Sequence, residues 1–303
     1  MSRAVSSFKF RVSSLLALVI FLISAPNARA AGRAECHAIE SRLMHQQVPY
    51  CVLVPPSYDT NKSGRYPVVY FLHGLGGNEQ MFLDSGAWNL VEDEWEQHKI
   101  GEYLIVAPAG DTSFYINAHD GRRYEDFFVQ EFMPFIEHRY RIRAARAARG
   151  IGGISMGGYG ALHIAFRHPE LFASVTAHSA ALIEKLPAVS SASFKQSPLA
   201  RVLGGVFGSP PENAFWQRNS PITLARTARL KGLHIYFDCG DQDDYGFEAG
   251  ARVLHKELAA RGIAHEYHLY PGGHTWTYFA EHLPASLEFQ AKTFEPQMKA
   301  ARR

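Results

Sequence analysis

Cysteine is scarce in this sequence, with three in 303 residues, which excludes both a disulfide-dense scaffold and a four-cysteine zinc site. Net charge is scarce too: the formal balance of +2 is too small for a surface that gathers nucleic acid by neutralising phosphates. Long apolar runs are missing. The most apolar run, Leu15 to Ile23, has nine residues, where a membrane-spanning helix needs about twenty. Also absent are internal repeats, low-complexity tracts and linkers. With 47% hydrophobic residues, the chain has the material for a sizeable core and reads as a folded protein rather than a disordered one.

What surrounds the apolar run gives it a meaning. Arg3, Lys9 and Arg11 precede it, and Ala28-Arg29-Ala30 follows it. A basic start, a short apolar centre and a small-x-small site form a secretory signal, with cleavage expected after Ala30. An uncleaved anchor is the rival, and the shortness of the run opposes it. Residues 1–30 are therefore expected to be a signal peptide and residues 31–303 a single domain, exported to a periplasm or out of the cell. No Leu-x-x-Cys site precedes Cys36, so no stable membrane anchor is expected. Removal of the four basic side chains in residues 1–30 takes the formal charge from +2 to −2. The basic run His138 to Arg149 reads as a solvated helix end and loop, and no nucleic-acid partner is expected.

Export bears on the cysteines. Cys36 and Cys51 flank the first hairpin or loop pair, with Cys51 opening the strand Cys51 to Val54, and an oxidising compartment would let them pair. Cys239 ends a buried strand and reads as an inert packed thiol.

Short β-rich apolar runs alternate with helical patterns along the mature chain. The strands are expected at 67–72, 103–107, 150–154, 173–176, 233–237 and 265–270, and amphipathic helices at 124–140, 157–167 and 246–261. Strands apolar on both faces and separated by helices predict an α/β fold with a mainly parallel central sheet, covered by helices on both sides. Residues 181–227 break the rhythm with Pro, Ser, Gly and Trp. An insertion there either shapes a pocket over the strand ends or merely connects.

Chemistry concentrates in RGIGGISMGGYG, residues 149–160, where six glycines surround Ser155. Gly153-Ile154-Ser155-Met156-Gly157 fits G-x-S-x-G, entered by a strand and left by a helix, the context of a nucleophile elbow. Gly153 and Gly157 are explained by the close approach of residues two before and two after the nucleophile; the other four read as packing positions. A phosphate-binding loop is the functional rival, but neither G-x-x-x-x-G-K-[ST] nor G-x-G-x-x-G is present.

A serine hydroxyl needs a base to take its proton and a carboxylate to hold that base. In a strand-turn-helix site of this kind they follow in the order Ser, Asp or Glu, His, each on a loop after a strand. His274, on the loop after the last strand, is the base. Asp238, Asp241, Asp243 and Asp244 crowd the loop before it; Asp243 is the first choice for the acid and Asp244 the second. The oxyanion needs two N–H donors, expected from Met156 and from the loop His73-Gly74-Leu75, with Leu75 as donor and His73 orienting the loop. Tyr115, Tyr124, Glu125, Trp216 and Trp276 are expected to line the substrate pocket. No H-E-x-x-H or other metal-ligand spacing occurs, and neither a metal nor a cofactor is expected.

Taken together, Tyr50 to Tyr58, His73-Gly74-Leu75, Tyr124-Glu125-Asp126-Phe127, Gly153 to Gly158, Asp238 to Asp243 and Gly272 to Trp276 resemble the esterase family of the α/β-hydrolases that includes esterase D (S-formylglutathione hydrolase), feruloyl and acetyl-xylan esterases and the mycobacterial mycolyltransferases. The resemblance covers nearly all of the mature chain. It implies an α/β-hydrolase fold, a Ser-His-Asp triad with the acid three residues after Gly240, a second oxyanion donor at Leu75, and a small-molecule or carbohydrate-linked acyl ester as substrate. The expected activity is that of a secreted serine carboxylesterase. An S-formylglutathione hydrolase-like thioesterase is opposed by the export signal. A mycolyltransferase-like acyltransferase would use the same triad. A catalytically silent exported binding protein, of another class, would be marked by a lost triad residue, and every role here has a candidate.

Overall fold

In the computed structural model the apolar run before His73 becomes strand β3 (Val68–Leu72), with all five residues buried. Val68, Tyr70 and Leu72 join one hydrophobic cluster, while Val69 and Phe71 join another. Side chains alternate across a strand, so a strand with helices on both faces must be apolar at every position. The described residues are 31–184, 198–209 and 211–301. The signal peptide expected at residues 1–30 lies outside them, as does part of the expected insertion.

Around β3 the sheet has eight strands in the order β1-β2-β4-β3-β5-β6-β7-β8. The others are β1 (Arg33–Ser41), β2 (Gln46–Val54), β4 (Leu104–Pro108), β5 (Arg149–Ile154), β6 (Ser174–His178), β7 (His234–Gly240) and β8 (Glu266–Tyr270). β1 and β2 pair antiparallel, as do β2 and β4; every other neighbour pair is parallel. This is the mainly parallel α/β sheet that the alternation predicts. Six expected strands are present within a few residues of their expected bounds. The edge strand β8 is only partly buried, because it has a neighbour on one side alone.

Helix α1 (Met81–Asp84), α2 (Ala87–Glu96) and the long α10 (Trp276–Ala301) cover one face. Phe82, Val91 and Trp95 meet Leu287 and Phe294 there. The other face carries α3 (Tyr124–Phe127), α4 (Met133–Arg139), α5 (Met156–Arg167), α6 (Pro198–Phe207), α7 (Asn213–Asn219), α8 (Pro221–Thr227) and α9 (Phe247–Ala260). Residues 124–140, expected as one helix, are α3 and α4 joined by a π-helical turn, Phe128–Phe132. The described part of the insertion contains α6 to α8. Helix α10, which contains Pro284, is an element that the sequence pattern did not single out.

Register decides where the loops emerge. Leu72 pairs with Gly153, Ile154 with His178, His178 with Asp238, and Gly240 with Tyr270. The carboxyl ends of β3, β5, β6, β7 and β8 therefore lie along one edge. From β3 the chain turns outward to β4 and then crosses back to β5 on the other side of β3. Such a reversal leaves a crevice between the β3 and β5 ends, the customary place for a ligand in an open α/β sheet.

Cys36 and Cys51 face each other across the β1–β2 hairpin and form a disulfide, while Cys239 is free and buried. Protein recovered from an oxidising compartment and unfolded without reductant is expected to titrate one thiol, and three after reduction. Three thiols before reduction would contradict the pairing.

Candidate active site

Strand β5 ends at Ile154, and the chain reverses at Ser155 into α5. Ser155 has φ 55° and ψ −118°, a strained conformation for a residue with a side chain, costing about 1–3 kcal/mol. Its surroundings leave no alternative. A Cβ on Gly153 would stand 2.5 Å from the Gly157 carbonyl, and one on Gly157 would overlap the Leu72 carbonyl. The Ser155 N–H donates to His178 O (2.9 Å), and Ser155 O accepts from Tyr159 N and Ala181 N, both at 3.0 Å. The remaining glycines meet neighbours as packing positions do: a Cβ on Gly160 would press into the Tyr115 ring at 2.6 Å.

His274 approaches from the loop after β8. Its Nε2 is 2.9 Å from Ser155 Oγ, and its Nδ1 is 2.7 Å from Asp243 Oδ2. Since an ionised carboxylate only accepts, Nδ1 carries the proton and Nε2 is left free to receive one from the serine. Asp243 Oδ1 accepts the N–H groups of Tyr245 (3.0 Å) and Phe247 (3.4 Å), and Cys239 Sγ lies 3.8 Å from Oδ2. Burial opposes ionisation of Asp243, but the His274 hydrogen bond and the two backbone bonds outweigh it, holding the carboxyl below the usual range. Burial raises the Cys239 thiol to about 12, so it stays protonated beside that carboxylate.

The four neighbouring aspartates separate cleanly. Asp244, the second choice for the acid, accepts the His274 main-chain N–H (2.9 Å) and so fixes the loop rather than the ring. Asp241 accepts Gly272 N–H at 3.1 Å, and Asp238 is buried against His178. Asp243 alone among them meets the His274 ring.

The loop after β3, where one oxyanion donor is expected, lies beside Ser155. Gly74 lies so near that a Cβ there would be 3.4 Å from Ser155 Cβ. Residues 74–77 form a turn closed by Gly77 N–H to Gly74 O (3.0 Å), with φ 82° at Gly76. Met156 opens α5, and its N–H has no carbonyl one turn earlier to bond. His73 orients the loop: Nε2 accepts Gly110 N–H (2.8 Å), which leaves the proton on Nδ1 for Gly74 O (2.8 Å). Burial holds the His73 ring below its ordinary value, and so neutral.

Four of the five expected pocket residues are corrected by the structure. Tyr115, Tyr124, Glu125 and Trp216 are enclosed in the interior, with at most 4% exposure, so no substrate can touch them. Tyr115 donates its hydroxyl to His73 O, at the start of the loop after β3, and Tyr124 donates to Ala109 O. Trp216 packs on Phe207 with ring centroids 4.6 Å apart. Glu125 takes His163 Nε2 (3.0 Å), Arg167 Nε (2.8 Å) and His168 Nε2 (2.9 Å). Trp276 is partly exposed at the start of α10. Sequence reasoning missed the rings around His274: Tyr245, Phe247 and Phe279, with centroids 4.9, 5.4 and 5.2 Å away. Tyr245 is 63% exposed, and its place two residues after Asp243 was the available signal.

A second Ser-His-Asp arrangement lies inside the fold. His178 Nδ1 is 2.7 Å from Asp238 Oδ2, and Nε2 is 2.7 Å from Ser286 Oγ. All three residues are buried, with at most 1% exposure, and Ser286 lies within α10, so no ester can reach it. Ser174 is no better placed, since its hydroxyl bonds Gln290. Ser155 is the serine that combines a strained turn, partial exposure and a histidine.

Comparison with known proteins agrees with this topology. A family model described as "Putative esterase" matches residues 41–289. The chain belongs to this esterase family. An esterase of Mycobacterium tuberculosis (strain ATCC 25618 / H37Rv) is 31% identical over 243 residues, covering 74% of this chain and 52% of that protein. The chain thus spans about half the length of that curated relative. An acetyl esterase of Caldicellulosiruptor saccharolyticus is 29% identical over 233 residues, covering 74% of this chain and 83% of that protein. Among solved structures, a ferulic acid esterase superposes with a TM-score of 0.75 at 27% identity, covering 87% of this chain and 99% of that one. The family has an α/β-hydrolase fold, as the sheet order and the strand-turn-helix at Ser155 require.

Glu125, displaced from the pocket, gives a stability prediction. Burial opposes its ionisation, yet hydrogen bonds from His163 and His168 and the Arg167 charge hold its carboxyl well below the usual range. A depressed carboxyl stabilises the fold above its unfolded value of about 4.3 and loses that contribution as pH falls through the folded value. Glu125→Gln is expected to cost about 3 kcal/mol at pH 7. In urea unfolding the deficit should shrink as pH drops below about 4; an equal deficit at both pH values would contradict the ion network.

Proposed function

We propose that this esterase-family chain is an exported serine carboxylesterase that works through an acyl-enzyme on Ser155. The observation that carries the reading is the unbroken line of hydrogen bonds from Asp243 through His274 to Ser155 Oγ, at the strand edge where the fold opens. His274 Nε2 takes the Ser155 proton as Oγ attacks the ester carbonyl, and the negative charge on the carbonyl oxygen falls to the N–H groups of Leu75 and Met156. When the carbonyl re-forms, the ester C–O bond breaks and His274 gives the proton to the departing alkoxide. Water then attacks the acyl-enzyme, passes a proton to His274, and releases the acid and the free serine. Asp243 keeps the ring in the tautomer that each step needs and stabilises the transient imidazolium.

The substrate is an acyl ester of a small molecule or carbohydrate, a reading supported by the acetyl and ferulic acid esterases among the relatives. Export rests on residues 1–30, with the mature chain beginning at Ala31, which N-terminal sequencing of secreted protein would establish.

Hydrolysis of p-nitrophenyl acetate and labelling by a fluorophosphonate are expected of the wild type. Ser155→Ala and His274→Ala should lower kcat by at least about a thousandfold, and Asp243→Asn by about ten-thousandfold, through the wrong tautomer. Wild-type turnover by Ser155→Ala would overturn the mechanism.

A further inference from the structure

The buried His178 and Asp238 side chains take no part in the chemistry above, yet they are fully engaged. His178 ends β6, and Asp238 is its register partner on β7. His178 Nδ1 donates to Asp238 Oδ2 (2.7 Å), which also receives Tyr236 OH (2.8 Å); Oδ1 receives Tyr278 OH (2.7 Å). Burial raises the Tyr278 phenol, so it remains a donor. Across the ring, Nε2 lies 2.7 Å from Ser286 Oγ, whose one proton goes to Leu283 O at 2.9 Å. Asp238 thus takes three donors, and each polar group of the buried cluster has a protein partner.

The main chains of the same two residues carry the nucleophile's turn. Ser155 N–H donates to His178 O and Ser179 N–H to Asp238 O, each at 2.9 Å. Their side chains hold α10 instead. Tyr278 lies four residues after His274 and Ser286 eight residues further, about 12 Å along a helix rising 1.5 Å per residue. Two anchors on one helix fix both its position along the axis and its rotation.

We propose that the buried His178–Asp238 pair, with Tyr278 and Ser286, is a positioning device that holds the Ser155 turn and the His274 loop in register. The inference rests on the roles assigned to Ser155 and His274 above. Ser155 leaves β5 and His274 follows β8, with β6 and β7 between them. A 2.9 Å contact between groups so separated collects every displacement of the two intervening strands. The pair joins those two strands to each other, to the serine's amide and to the helix that leaves the histidine loop.

Tyr278→Phe removes one donor and keeps the ring. Its kcat on p-nitrophenyl acetate is expected to fall about tenfold, with KM within about twofold of wild type and fluorophosphonate labelling slowed by the same factor as kcat. Ser286→Ala, which also keeps the helix, should act in the same direction. Phe294→Leu, at the other end of α10, should lower the thermal midpoint and leave kcat unchanged. The proposal is overturned if Tyr278→Phe and Ser286→Ala lower the midpoint but keep wild-type kcat and labelling rate, or if Phe294→Leu loses kcat equally. Labelling that survives Ser155→Ala would instead refute the catalytic assignment, and mass spectrometry of the labelled peptide would identify the serine responsible.

Discussion

Three backbone segments meet at the Ser155 turn with no side chain between them: the end of β3 at Leu72, the end of β5 at Gly153 and the first turn of α5 at Gly157. The rest of the site depends on that contact. It forces Ser155 to positive φ, which directs Oγ away from the sheet and toward the strand ends. It also brings the loop after β3 beside the serine, because Leu72 and Gly153 are register partners. One steric condition thus supplies the strained turn at Ser155, a helix N-terminus behind it and the β3 loop beside it.

A turn held under strain needs a rigid frame, and the frame here is as much polar as apolar. Glu125 ties α3 to α5 through His163, Arg167 and His168. His163 Nδ1 and Tyr159 OH both donate to Asn219 O and so join α5 to α7. Tyr115 fills the space left by Gly160 and bonds the His73 carbonyl. Glu125, His163 and the Asn219 carbonyl are buried polar groups, and burying them is costly unless each is satisfied. Their geometry is therefore narrow. Helix α5 cannot slide without breaking several of them together, and the serine at its N-terminus moves only as the helix moves.

Much of this was legible in the sequence. The parallel sheet follows from strands such as 67–72 that are apolar throughout, and the triad follows from local motifs whose order is fixed by the topology. Asp243 could be preferred over Asp244 in sequence, but only the loop geometry separates a side chain that meets the His274 ring from one that meets its amide. The pocket was misread for a physical reason. Tyr115, Tyr124 and Trp216 have apolar bodies large enough to be core, Glu125 is buried by its three hydrogen-bonding partners, and exposure is decided by long-range packing. The same holds for His178 and Asp238, whose meeting across β6 and β7 no local pattern announces.

Two chemically similar constellations in one fold differ in their access to solvent. Ser286, His178 and Asp238 have hydrogen bonds as short as those of Ser155, His274 and Asp243. In the buried set the serine's proton is committed to Leu283 O and the carboxylate takes three side-chain donors. Among the described residues the Ser155 hydroxyl meets the His274 imidazole, and beside that ring stands the exposed Tyr245. The difference lies in which groups remain unsatisfied at the solvent edge. A saturated network resists displacement and is suited to hold others in place, while an incomplete one accepts a substrate to complete it.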